Sequence, residues 1–176
     1  MSLESTVPSE VQLGCDELSR RLGEACLARG VRVTTAESCT GGGVASAITA
    51  IAGSSAYFET GYVTYSNVAK QRLLGVTDVT LETHGAVSEA TVREMVAGAC
   101  RDSGAELGVA VSGIAGPEGG SAEKPVGTVW FAWGDERDQH VRCLRLPGDR
   151  QGVRELAVSV ALAGLIESLS QSGPDA

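Results

Sequence analysis

Apolar positions recur along this chain with two periods, and each change of period marks an element. From Ser9 to Arg29, Val11, Cys15, Leu18, Leu22 and Cys26 fall at helical spacing. Ser9 is placed to cap that helix and Gly30 to end it. Val31 to Thr35 is rich in β-branched residues and predicts a strand. Thr40 to Ala50 keeps one apolar face through Val44, Ala47 and Ile48, which predicts a helix, and Ala52 to Ala56 reads as a turn. Tyr57 to Tyr65 alternates like a strand, and Asn67 to Leu74 has the length of a short helix. Ser88 caps a helix running to about Arg101, with Val92, Met95, Val96 and Ala99 on one face. Leu107 to Val111 is a buried strand by its continuous apolar run. A glycine-rich loop, Gly113 to Pro125, separates it from a strand over Val126 to Trp133. A turn over Gly134 to Asp138 joins that strand to a hairpin partner, His140 to Leu146. Pro147-Gly148-Asp149 opens the last helix, which runs to about Leu169 with Val153, Leu156, Val160 and Ala163 inward.

Helices alternate with strands and a hairpin follows. That order predicts an α/β domain: a three-layer α/β/α sandwich around a mixed, mostly parallel sheet of about five strands. With 176 residues, one domain over 9–169 is expected, flanked by a disordered tail over 1–8 and a second tail over 170–176. An apolar fraction of 43%, charged residues at 20% and a mean hydropathy of +0.05 exclude a disordered chain. No apolar run reaches the ~18–20 residues of a membrane span, and Met1 to Glu10 lacks the pattern of a signal peptide. The net charge of -8 argues against nucleic acid or an anionic membrane as partner. Five scattered cysteines, with no Cys-x-x-Cys pair, read as free thiols in a reducing cytoplasm. His84 and His140 share no ligand spacing with them, so no metal and no cofactor is expected.

Three segments at predicted strand ends carry candidate chemistry, since open α/β sheets bind ligands there. The first is Thr35-Ala36-Glu37-Ser38-Cys39-Thr40-Gly41-Gly42-Gly43. Its free amides suit an anion or oxyanion, and equally a plain helix cap by Ser38 or Thr40. The second is Tyr65-Ser66-Asn67-Val68-Ala69-Lys70, which brings one of only two lysines close to a tyrosine. Lys70 is a solvated surface lysine or an amine of lowered pKa beside a nucleophile. The third, Ser112 to Ser121, is neither a dinucleotide fingerprint nor a phosphate loop; its glycine content and length suggest a functional or mobile loop.

These segments, with His84-Gly85-Ala86-Val87-Ser88, Lys124-Pro125-Val126-Gly127-Thr128-Val129 and Pro147-Gly148-Asp149-Arg150, resemble the CinA C-terminal domain family of nicotinamide mononucleotide amidohydrolases. The resemblance covers about residues 10 to 168. It implies hydrolysis of the carboxamide of nicotinamide mononucleotide to nicotinate mononucleotide and ammonia, in pyridine nucleotide salvage. It also implies a catalytic set of Ser38, Tyr65 and Lys70, and a homodimer or larger assembly. Val68 stands where the family often has a carboxylate, and Leu146 where it often has Phe. Longer members carry an N-terminal domain resembling molybdopterin-binding folds, with no counterpart expected in these 176 residues.

In the expected reaction Ser38 attacks the carboxamide carbon. Lys70, neutral, takes the proton directly or through Tyr65, and amides of Thr40 to Gly42 hold the oxyanion. Cys39 is the rival nucleophile. Expected substrate contacts are Glu37, Thr40, Gly41, Gly42, Asn67, Ser112, Gly113, Ala115 and Gly116. Arg150 is either a 5′-phosphate ligand or a surface arginine. Glu37 orients Lys70, orients a ribose hydroxyl, or is a structural acceptor. His84 is expected to be a loop residue. Two other functions compete with the amidohydrolase: a non-catalytic competence or damage-inducible accessory module, and a hydrolase of another small amide.

Overall fold

The computed structural model of the chain describes residues 9–171. The tail expected over 1–8 and residues 172–176 lie outside them, while Ser170 and Gln171 continue the last helix. The first predicted helix is split in two. Ser9–Gln12 is a short 3-10 turn, and α1 (Cys15–Arg29) begins only after Gly14. Leu18, Leu22 and Cys26 form its buried stripe, and Gly30 ends it in the left-handed conformation.

The remaining elements are β1 (Val33–Glu37), α2 (Gly43–Thr49), β2 (Phe58–Val63), α3 (Asn67–Leu74), α4 (Asp78–His84), α5 (Glu89–Ser103), β3 (Leu107–Gly113), β4 (Thr128–Gly134), β5 (Gln139–Arg145) and α6 (Arg150–Gln171). The segment predicted as a turn at 52–56 includes a 3-10 turn at Ser54–Ala56. α2 starts three residues later than the periodicity suggests, because Gly41 and Gly42 take φ of 60° and 96° and turn the chain first. α4 was not expected: Leu81 is its buried residue, so it has no apolar stripe to read. Ser66, Thr77 and Ser88 each cap the helix that follows, accepting from the backbone N–H three residues on.

The sheet has five strands in the order β2-β1-β3-β4-β5. β1 pairs in parallel with β2 and β3, whereas β4 pairs antiparallel with β3 and β5. The pairings are therefore evenly divided rather than mostly parallel. The physical reason is that no helix lies between β3 and β4, so the chain returns antiparallel, and β4–β5 is a hairpin.

Successive residues of the central strands enter two separate buried clusters. Val109, Val111, Val129, Phe131 and Trp133 pack with α1, α2 and α6. Ala110, Trp130 and Ala132 pack instead with residues of α3, α4 and α5, including Leu74, Leu81, Val92, Met95 and Val96. Each fully buried large side chain contributes about 1.5–3 kcal/mol. In the second cluster α5 touches the end of α3 at Gly98, where an added Cβ would lie 1.9 Å from the Leu74 carbonyl oxygen. That close approach fixes the height of α3, which carries Lys70.

Candidate active site

A cavity of about 290 Å³ opens where β1, β3 and the turn before α3 end. That is the carboxyl edge of the parallel part of the sheet. Ser38 follows β1 directly, and its N–H donates to the Val111 carbonyl (2.9 Å), which extends the strand pairing and fixes where the residue leaves the sheet. The Thr64 N–H bonds the Glu37 carbonyl on the other side (2.8 Å). Lys70 reaches the same point from the first turn of α3. Its Nζ lies 3.1 Å from Ser38 Oγ and donates to the Thr64 carbonyl at 2.7 Å.

Lys70 is 1% exposed. No carboxylate pairs with it among the described residues. Burial therefore favours the uncharged amine and pulls its pKa below the ordinary lysine value. A neutral amine against a hydroxyl is a base against a nucleophile. Cys39 is placed differently. It borders the cavity but is 5% exposed and belongs to the larger buried cluster. Burial pushes its thiol up to about 11, so it stays protonated at neutral pH.

Tyr65 stands at the mouth, 59% exposed. Its hydroxyl accepts from Arg150 Nη2 (2.9 Å), and Arg150 Nη1 donates to the Gly116 carbonyl (2.9 Å). Its hydroxyl bonds neither Ser38 nor Lys70. Lys70 Nζ thus reaches Ser38 Oγ directly, with no Tyr65 hydroxyl between them. Asn67, Ser112, Gly113, Ala115, Gly116 and Arg150 line the cavity, and Ser112 Oγ donates to the Ala86 carbonyl (2.7 Å).

Four expected substrate contacts do not line the cavity, although Cys39, whose carbonyl carbon carries the Thr40 N–H, does. Glu37 is fully buried, and its two carboxylate oxygens accept from the Val44 (2.8 Å) and Ala45 (3.0 Å) N–H groups. It is the structural acceptor among its readings. It also occupies the start of α2, which withdraws those amides from any ligand. Thr40 is buried, Gly41 lies under Arg154, and Gly42 lies under Val63. The Gly41 N–H is spent on the Ser38 carbonyl (2.9 Å).

The structure adds residues that sequence reasoning missed. Ala86 and Val87 form a wall, and Ile114, Glu118 and Gly119 form part of the loop side. Arg154 donates from Nε to the Cys39 carbonyl (3.1 Å). Its spacing of four from Arg150, on one helix face, was the available signal. Lys124 Nζ donates to the His84 carbonyl (2.8 Å), and both residues flank a neighbouring cavity of about 480 Å³ that shares Val87 with the first. His84 lines that second space and is the last residue of α4 rather than the loop residue expected, because the unforeseen helix runs up to Gly85. His140 lies on β5 beside Trp133 and Arg142. Among the described residues no group of three His, Cys, Asp or Glu side chains is arranged to hold a metal, and no helix is long and apolar enough to cross a membrane.

An α/β domain with a hydroxyl and a buried amine in a cleft at its strand ends is the class of protein this geometry defines. The chain belongs to the CinA C-terminal domain family, whose profile matches residues 15–169. It is similar to the nicotinamide-nucleotide amidohydrolase PncC of Escherichia coli (strain K12), at 54% identity over 157 residues, 89% of this chain and 95% of the relative. The protein of the same name from Pseudomonas putida is 55% identical over 150 residues, 85% of this chain and 94% of the relative. Among solved structures, the competence damage-inducible protein A from Klebsiella pneumoniae superposes with a TM-score of 0.88 at 45% identity, covering 92% of this chain and all of the other.

Proposed function

We propose that the chain hydrolyses the carboxamide of nicotinamide mononucleotide, giving nicotinate mononucleotide and ammonia, as a serine amidohydrolase of pyridine nucleotide salvage. The observation that carries this reading is the contact of Lys70 Nζ with Ser38 Oγ in a water-poor corner without a carboxylate. The names of the relatives at 54–55% identity supply the enzyme class and the substrate.

An amide is a weak electrophile with a poor leaving group, so it needs an activated nucleophile, an oxyanion donor and a proton for the departing nitrogen. Ser38 Oγ–H gives its proton to the Lys70 amine as Oγ bonds to the carboxamide carbon. The carbonyl pair moves onto oxygen, for which the unspent amides of the 39–42 turn are the proposed donors. The Lys70 ammonium then protonates the nitrogen, the C–N bond breaks, and ammonia leaves an ester on Ser38. Water attacks that ester with Lys70 again as base, releasing the acid and restoring Ser38. Tyr65 and Arg150 act at the mouth: the tyrosine ring borders the substrate and the guanidinium suits its phosphate. Asn67, Ser112, Gly113, Ala115 and Gly116 form the polar and backbone wall.

The same reading takes residues 9–169 as one domain, a three-layer α/β/α sandwich, because two separate buried clusters flank one sheet. It places the enzyme in the cytoplasm as a homo-oligomer, with no nucleic acid partner at a net charge of -8.

Ammonia release from nicotinamide mononucleotide tests the proposal. Ser38→Ala and Lys70→Met are expected to lower kcat by at least about 10³-fold, in the range of lost nucleophiles and general bases, while Cys39→Ala stays within a few-fold of wild type. An active Ser38→Ala variant, or an inactive wild type, would reverse the reading in favour of an accessory module or another amide.

A further inference from the structure

We propose that Arg154 is a positioning residue of this site, holding and polarising the Cys39–Thr40 peptide so that the Thr40 N–H serves as an oxyanion donor. The inference rests on the amidohydrolase reading and adds to it a residue that none of the six sequence motifs contains.

Arg154 projects from the second turn of α6 and is half-buried. Its Nε donates to the Cys39 carbonyl at 3.1 Å, and Nη2 lies 3.4 Å from the Thr40 carbonyl. Both contacts are with main-chain oxygens, and no carboxylate pairs with the guanidinium among the described ion pairs. One turn earlier Arg150 likewise donates to a main-chain carbonyl, that of Gly116. The start of α6 thus grips both sides of the cavity, the turn after Ser38 and the glycine-rich loop.

The Gly41 N–H is spent on the Ser38 carbonyl (2.9 Å) and the Gly43 N–H on the Thr40 carbonyl (3.0 Å). Three amides of the turn, those of Cys39, Thr40 and Gly42, meet no acceptor among the described hydrogen bonds, and of these only the Thr40 N–H shares a peptide with a carbonyl that Arg154 bonds. That carbonyl is the one of Cys39, onto which the guanidinium donates from Nε. A cation on a peptide oxygen draws charge from the nitrogen and strengthens its N–H as a donor. As Ser38 Oγ bonds to the carboxamide carbon and its proton passes to Lys70, the carbonyl pair becomes a full charge on oxygen. A preorganised, strengthened donor gains most at that moment. Lysine cannot copy the arrangement, because Nε and Nη2 address successive carbonyls from one rigid plane.

The test uses the full chain with Arg154→Ala and Arg154→Lys. Two readouts are taken: steady-state ammonia release, and the rate at which a fluorophosphonate labels Ser38. Both variants are expected to lose about 10–100-fold in kcat, less than the 10²–10³-fold of an oxyanion donor removed outright, with KM within about twofold. Labelling should slow in proportion, since its phosphonyl oxygen takes the oxyanion's place. Added guanidinium ion should speed Arg154→Ala and leave wild type unchanged. A kcat and labelling rate within about twofold of wild type in both variants overturn the proposal. So does a loss carried by KM alone, or one that guanidinium does not relieve. If Arg154→Ala fails to fold, the same readouts on Arg154→Lys decide. Wild type that is labelled at Ser38 yet releases no ammonia refutes the substrate reading only, and the labelling rates still judge Arg154.

Discussion

An amine buried without a counter-charge is held neutral by its surroundings, and Lys70 is in that position. Its folded pKa lies below the ordinary lysine value of about 10.4. Two consequences follow for pH. The base form, which accepts the Ser38 proton, fills as pH rises through the folded pKa. The acid limb of kcat/KM is therefore expected to fall below pH 10.4 and to vanish with Lys70→Met, which a pH–rate profile checks. For stability, the unfolded chain holds the extra proton between the folded and the unfolded pKa, so unfolding free energy rises with pH across that window. Denaturant titrations should show that slope in wild type and not in Lys70→Met; an identical slope in both would count against a lowered Lys70. The sequence made Ser38 and Lys70 legible through motif resemblance and through the rarity of lysine. It pointed to Tyr65 as well, which lines the same cavity, but not to the bond that holds its hydroxyl to Arg150, 85 residues away.

At the scale of elements, Glu37 shows how a side chain at a strand end becomes part of the scaffold. It joins the last residue of β1 to the first two residues of α2, and so fixes the turn that carries Ser38 between them. Charge-assisted bonds of this kind are worth about 1.5–3 kcal/mol each. Glu37→Ala should lower unfolding free energy by roughly 2–4 kcal/mol and lower kcat through a loosened turn, with little change in KM. A substrate ligand would behave oppositely, raising KM in a chain of unchanged stability. Element positions were readable wherever burial imposes a period, as in α3, α5 and the β4–β5 hairpin. They were not readable in α4, with one buried residue, nor at the start of α2, where two left-handed glycines delay the helix. They also failed at the first helix, whose apolar spacing runs unbroken through a bend at Leu13 and Gly14.

For the molecule as a whole, the sheet is the wall between two buried clusters, and β4 is buried on both faces from Thr128 to Trp133. Phe131 and Trp133 face one cluster and stack with ring centroids 5.4 Å apart, while Trp130 and Ala132 face the other. Trp133 also donates from Nε1 to the Ala161 carbonyl (3.0 Å), tying β4 to α6. Since α6 grips the turn beyond Ser38 through Arg154, and α5 sets α3 and Lys70 through Gly98, Ser38 and Lys70 are seated from opposite clusters. Neither half has the other's wall without the sheet, so the site and the fold should melt together. Phe131→Ala is expected to cost about 3–5 kcal/mol by cavity formation. For a chain of this size that lowers Tm by roughly 6–20 °C. The five free cysteines add no cross-link, so Tm should be the same with and without a reductant. Calorimetry beside residual activity checks the coupling: a single transition that moves down with Phe131→Ala, with activity lost in the same interval, is the expected outcome. Two transitions, or activity that disappears well before the heat absorption, would mean that the Lys70 side and the Ser38 side unfold independently and that the sheet does not couple them.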